Sequence, residues 1–122
     1  MWQKRGDPVL HIELRRWADV LVIAPLDANT LAKLACGLSD NLLTCVVRAW
    51  DPARPILVCP AMNTHMWTNP LTAAHLSAVT SQQPHIRVLE PISKALMCGD
   101  VGLGAMAEPA DIVDRVAALL GH

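Results

Sequence analysis

Three short apolar runs set the rhythm of the chain: Val20–Pro25, Ile56–Cys59 and Ile86–Leu89. Each is rich in β-branched residues and ends at proline or polar residues, the pattern of a buried strand. Around them the apolar positions recur at three- and four-residue steps. Leu10, Leu14 and Trp17 predict a short helix over Val9–Trp17, after the turn signal Gly6-Asp7-Pro8. Leu31, Leu34, Ala35 and Leu38 predict another, with N-cap side chains in Asp27-Ala28-Asn29-Thr30 and Gly37 ending or bending it. Ser39 or Asp40 is expected to cap the next, which runs through Leu43, Val46, Val47 and Trp50, with Asp51–Pro55 as the following loop. Asn69-Pro70 opens a helix carrying Leu71, Ala74, His75 and Ala78, since proline suits the first helical turn. Pro109 and Asp111 open the last, with Ile112, Val113, Val116, Leu119 and Leu120 expected toward the core. Thr80–His85 and Glu90–Ala107 read as loops, and the second, bearing Gly99, Gly102 and Gly104, is long for a connection without structure of its own.

Strands alternating with helices predict an α/β fold, a parallel sheet with helices on its faces. No internal repeat or linker divides the chain, so residues 1–122 read as one domain or part of one. Ligands in such sheets bind where loops leave the carboxyl ends of strands. The loop after Ile56–Cys59 is Pro60-Ala61-Met62-Asn63-Thr64-His65-Met66-Trp67.

Composition narrows the function. Hydrophobic residues make up 52% of the chain and aromatic residues 3%, all of them tryptophan, so the core must be aliphatic. A formal net charge of −1 gives no electrostatic case for a nucleic acid or a membrane surface. No apolar run approaches the roughly 18 residues of a membrane span. No apolar stretch follows Met1–Arg5, so a secretory signal is not expected and a cytoplasmic protein with reduced thiols is. The four cysteines form no C-x-x-C pair and fit no zinc-site spacing. Cys36, Cys45 and Cys59 sit in apolar surroundings and are expected in the core.

Four stretches could carry chemistry, and each has a plainer reading beside it. Met62, Met66 and Trp67 could simply be packing residues on a helical turn. His11 could exchange a proton near neutral pH or be a surface residue. Ala24–Thr30 is a strand end followed by a helix cap, and a helix N-terminus also presents N–H groups to electron-rich partners. Cys98 opens Cys98–Glu108, where the glycines are spaced G-x-x-G-x-G and not as the dinucleotide fingerprint, and so favour a tight loop over a nucleotide cradle. Its thiol is either a buried filler or an acid, since a thiol with pKa about 8.5 stays protonated at neutral pH. Lys94 lies just upstream and could help to hold an anionic substrate.

Taken together, P-x-M-N-x-x-M-W at Pro60–Trp67, V-L-H-I-E-L-R-R-W-A-D at Val9–Asp19, the turn Asp27–Thr30 and the string Cys98–Glu108 resemble the flavin-dependent cysteine decarboxylases. Asn41-Leu42-Leu43-Thr44 also looks like family sequence. The resemblance implies a flavodoxin-like, Rossmann-like sheet and FMN as cofactor. It gives His11 a base or orienting role, Asn63 (with Met66) the substrate and its carboxylate, and Cys98 the final proton. It sets Asp27, Ala28, Asn29, Thr30 and Ala61 against the flavin, where the small Ala61 would admit a flat ring.

In this family the flavin withdraws electrons so that the carbanion left by carbon dioxide has a sink. The implied substrate is a phosphorylated small molecule, 4'-phospho-N-pantothenoylcysteine, on the route to coenzyme A. The Leu10–Trp17 and Cys98 stretches favour it over a peptidyl cysteine. The family builds its site between the subunits of a trimer, so a homotrimer is expected of a full-length member. Family domains open with a strand and a G-x-T-G-S-like turn for the flavin phosphate. Residues 1–122 contain no such turn, so a partial domain lacking the N-terminal strands is expected. Thr80–His85 departs from the family pattern. An inactive truncated variant, or a noncatalytic subunit joining intact relatives, is the alternative reading.

Overall fold

A computed structural model describes residues 19–95 and 101–121, with the side chains of 94, 95 and 101–103 outside that description. The helix expected over Val9–Trp17 lies outside the described residues. The chain runs β1 (Leu21–Leu26), α1 (Ala28–Cys36), α2 (Leu42–Arg48), β2 (Ile56–Pro60), α3 (Thr64–Thr68), α4 (Pro70–Gln82), β3 (Ile86–Val88), β4 (Ile92–Ala95), β5 (Val101–Ala105) and α5 (Pro109–Leu119).

β1, β2 and β3 form a parallel sheet in that order, with Ile56 opposite Leu21 on one side and Ile86 on the other. β2 is central and every one of its residues is buried. That explains its unbroken apolar run: a strand covered on both faces has no solvent side to mark with polar residues. Ile56 and Val58 join Ile23, Leu26, Leu31, Leu34, Val46, Val47, Trp50, Val79 and Ile86 in one aliphatic cluster. Leu57 and Cys59 alternate with them and are equally inaccessible. Trp50 enters the core because its indole N–H donates to the Arg54 carbonyl at 3.0 Å.

The helix ends follow from particular side chains. Asp27 caps α1, its Oδ1 accepting from the Thr30 N–H at 2.7 Å, and Gly37 ends the helix in the left-handed region at φ 71°. α2 is capped by Asn41 and not by Ser39 or Asp40. Asn41 Oδ1 accepts from the Thr44 N–H at 2.8 Å, and the Thr44 hydroxyl accepts from the Asn41 N–H at 3.1 Å, a reciprocal capping box. Asp40 instead pairs with Lys33 at 3.0 Å. Asn41→Ala is expected to cost roughly 1 kcal/mol of stability, with Asn41→Asp near neutral. Urea titration reads this as a lower midpoint at unchanged slope, and an unshifted alanine variant would remove the cap from the stability account.

Several expectations are corrected. Thr80–Gln82, expected as loop, complete the last turn of α4. Glu90–Ala107 is not a structureless loop, because β4 and β5 pair antiparallel, Ile92 opposite Ala105 and Lys94 opposite Gly102. Glycine at alternate positions of β5 had hidden the period of a strand, since it adds no side chain to either face. β1 continues through Pro25 to Leu26, with a register shift after Ile23. Cys36 is exposed at the end of α1, whereas Cys45 and Cys59 are buried as expected. Leu38, just past the Gly37 cap, and Val113 and Leu120 of the α5 region are exposed. The inward stripe of α5 is narrower than expected: Ile112, Val116 and Leu119 are half-buried.

Candidate functional site

β1 and β2 end side by side, Leu26 opposite Pro60, and the Ala61 N–H donates to the Leu26 carbonyl at 3.0 Å. The turn Asp27–Thr30 and the segment Pro60–Trp67 therefore leave the same edge of the sheet next to each other. This is the carboxyl edge at which open α/β sheets bind ligands.

Asn63 takes an extended conformation and caps α3. Its Oδ1 accepts from the Met66 N–H at 2.9 Å, and its main-chain carbonyl accepts from the Trp67 N–H at 2.9 Å. With the oxygen engaged, the amide NH2 has no partner among the described residues, and Asn63 as a residue is exposed. The cap thus fixes which end of the amide faces outward, and that end is a pair of uncharged donors.

The flanks of Asn63 are held by distant parts of the chain. The Met62 N–H donates to the Gly104 carbonyl of β5 at 2.9 Å. Gly104 has φ 86°, and a Cβ there would overlap the Met62 carbonyl oxygen and lie 3.1 Å from Trp67 Cβ. Only glycine allows the two main chains to approach this closely. Met62 and Trp67 are half-buried, but Met66 is 49% exposed and no residue of α3 is buried. The plain reading of this segment as core filler is therefore not what the fold uses it for.

Met66 instead lines an open, mainly apolar cleft of about 340 Å³ with Ala28, Asn29, Asn69, Thr72 and His75. Asn29 is exposed and Ala28 half-buried at the start of α1. Their N–H groups belong to the first turn, which has no acceptor inside the helix. The Asp27 carboxylate is engaged with the Thr30 side chain and N–H, which hold its pKa below the usual value. Asp27 and Thr30 thus form the cap, and its negative charge already offsets part of the helix dipole. Donors at Ala28 and Asn29 are what this turn offers a ligand.

The structure therefore brings together Ala28, Asn29 and Met66 around one cleft, with Ala61 and Asn63 on the adjoining turn. His11 and Cys98 lie outside the described residues, and the backbone of Lys94 is in β4. His85 sits at the start of β3, at the other end of the sheet, where burial lowers its pKa. Burial raises the pKa of the Cys59 thiol, with the Arg115 charge opposing, and keeps it protonated. Among the described residues no group of three or more His, Cys, Asp or Glu could hold a metal ion. No described helix is long and apolar enough to cross a membrane. Thr72 and Gly104 were not picked out as site residues from the sequence, because each acts through a contact that no local motif encodes.

Residues 1–121 match the Flavoprotein family. The chain belongs to that family. It is 64% identical over 115 residues to a probable phosphopantothenoylcysteine decarboxylase of Arabidopsis thaliana, covering 94% of this chain and 56% of the relative. Among solved structures it is similar to a cysteine-to-serine variant of PPC decarboxylase complexed with pantothenoylaminoethenethiol, at TM-score 0.87 and 59% identity, covering 99% of this chain and 65% of that one. The FMN binding protein AtHal3 is also similar, at TM-score 0.83 and 62% identity, covering 96% and 62%. The fold is thus flavodoxin-like α/β, and the chain spans about half the length of the curated relatives it matches.

Proposed function

We propose that the chain carries the substrate-facing part of an FMN-dependent carboxy-lyase that converts 4'-phospho-N-pantothenoylcysteine to 4'-phosphopantetheine, in coenzyme A biosynthesis. The observation that carries this reading is the Asn63 amide, oxygen turned into the cap and N–H groups turned out at the carboxyl edge of β2. A carboxylate set against these donors is bound without a neutralising cation, so its charge is not trapped by an ion pair. The names of the similar proteins, a PPC decarboxylase and an FMN-binding protein, support the same substrate and cofactor.

The residues present fit a flavin. Ala61 and Ala28 offer small side chains at the sheet edge, and Ala28 and Asn29, in the first turn of α1, line an open cleft. These residues would hold the ring, with Asp27 and Thr30 keeping the turn in shape. When bound, FMN supplies a reversible two-electron acceptor. The chain's own residues orient the substrate and move protons. Asn63 holds the carboxylate, Met66 flanks the substrate with apolar surface, His11 acts as base or orienting group, Cys98 donates the last proton, and Lys94 adds positive charge toward the phosphorylated substrate. A homotrimer and a cytoplasmic location complete the reading; the reduced thiols Cys45 and Cys59 suit a reducing compartment.

The test uses the chain with excess FMN and the phosphorylated substrate, read by mass analysis of the products. FMN alone is expected to bind weakly, because residues 1–122 contain no G-x-T-G-S-like turn to surround its phosphate with N–H groups. Decarboxylated product is expected at saturating FMN. His11→Asn should abolish it, and Cys98→Ser should leave the unreduced enethiol. No product from the parent at saturating FMN would refute the reading and favour the noncatalytic subunit. Fully reduced product from Cys98→Ser would exclude the thiol as acid.

A further inference from the structure

α3 has only five residues and buries none of them. An isolated turn of this length has no stability of its own, because helix nucleation is unfavourable and so few bonds follow it. Something must nevertheless hold it still if Asn63 is to present its amide in one direction.

The neighbouring helix supplies the hold through an inversion of the usual pattern. Leu71, apolar, is 63% exposed, whereas Thr72, polar, is 6% exposed. The Thr72 hydroxyl turns inward to donate to the main-chain carbonyl of Met66. The same carbonyl accepts from the Asn69 N–H at 3.3 Å, and Thr72 Oγ1 also lies 3.8 Å from the Met62 sulfur. Met66 is the residue whose N–H is taken by Asn63 Oδ1. One peptide unit apart, then, Met66 is gripped at its carbonyl by Thr72 and grips the Asn63 amide with its N–H. Thr72 itself rides on α4, a helix of 13 residues whose Val79 is buried in the core.

We propose that Thr72 is the positioning residue for Asn63, passing the rigidity of α4 through Met66 to the amide that faces the substrate. The proposal builds on the function proposed above only in what Asn63 is aimed at; the mechanical link stands apart from it. Thr72→Val keeps the shape and removes the donor, and Thr72→Ser keeps the donor.

Backbone order parameters measured by NMR on the 122-residue chain test the link directly. In the parent, the N–H groups of residues 63–67 are expected near about 0.85, the value of rigid backbone, and in Thr72→Val they are expected to fall to about 0.6. Thr72→Ser should restore them. With substrate and FMN present, Thr72→Val should raise KM about tenfold while changing kcat less, and Thr72→Ser should again recover. Unchanged order parameters in Thr72→Val would overturn the proposal. So would a loss of order spread evenly over β2 and α4 in both variants, which would make Thr72 a general packing residue. If the local loss and its rescue occur but the parent binds no substrate, the function proposed above fails and the role of Thr72 stands.

Discussion

Gly104→Ala is expected to unseat β5 from the Pro60–Trp67 segment and to lower the stability of the chain by more than any surface substitution. The position has φ 86°, where an L side chain is strained, at about 1–2 kcal/mol for left-handed backbone. The added methyl would also overlap the Met62 carbonyl oxygen. A flexible side chain could move aside, but a main-chain oxygen moves only with its peptide. That peptide adjoins the bond from the Met62 N–H to Gly104, so relieving the overlap pulls on the contact that docks the two segments. Two measurements check it. The urea midpoint should fall, and amide exchange at Met62 should accelerate well beyond that in β2. A variant with the parent's midpoint and a protected Met62 amide would show that the close approach is not needed.

Asn63→Asp is expected to abolish turnover while leaving the fold and any bound flavin in place. Aspartate caps a helix about as well as asparagine, so its oxygen should still accept from the Met66 N–H. Asn63→Ala lacks the cap and should lose roughly 1 kcal/mol of stability, which separates the two roles of the residue. What aspartate removes is the outward pair of N–H donors, putting an ionised group that only accepts in their place. Opposed to a substrate carboxylate at about 4 Å, it repels by roughly 4 kcal/mol at the effective dielectric of about 20 typical of such pairs. With the lost hydrogen bonds, productive binding should fall at least about a thousandfold, at about 1.4 kcal/mol per decade. Carbon dioxide release at saturating FMN and the affinity for FMN, compared with the parent, decide it. Release near the parent rate from a variant with the parent's FMN affinity would make Asn63 a cap and nothing more.

Both predictions join a local feature to a non-local one, and the same division separates what could be read from the chain. β2 was legible because the apolar run Ile56–Cys59 is a property of consecutive residues, and the strand extends one residue further, to Pro60. α1 was legible in outline: the turn Asp27–Thr30 offered several cap side chains, of which the structure uses Asp27, and Gly37, expected to end or bend the helix, ends it in the left-handed region. The Asn63 segment was legible as a motif through resemblance, though not as an N-cap. Its neighbours pointed to packing, while the structure leaves Met66 exposed and puts Asn63 at the head of a helical turn.

Where several residues could do the same job, the sequence did not choose among them. The sequence pointed to Ser39 or Asp40 as the cap of α2 and missed Asn41; the extended backbone at Asn41, with Thr44 answering it, decides the matter, and Asp40 is drawn to Lys33. Where the pattern was muted, the reading failed: glycines in β5 carry no period, so the pairing with β4 emerges only once the two strands meet. Thr80–Gln82 looked like loop by polarity, yet α4 continues through them. The sequence by itself determined the sheet and its central strand, because these depend on the spacing and type of side chains along the chain. Tertiary structure alone decided how the turn around Asn63 is held, since the Gly104 carbonyl and the Thr72 hydroxyl meet main-chain groups of Met62 and Met66, which no side-chain pattern marks.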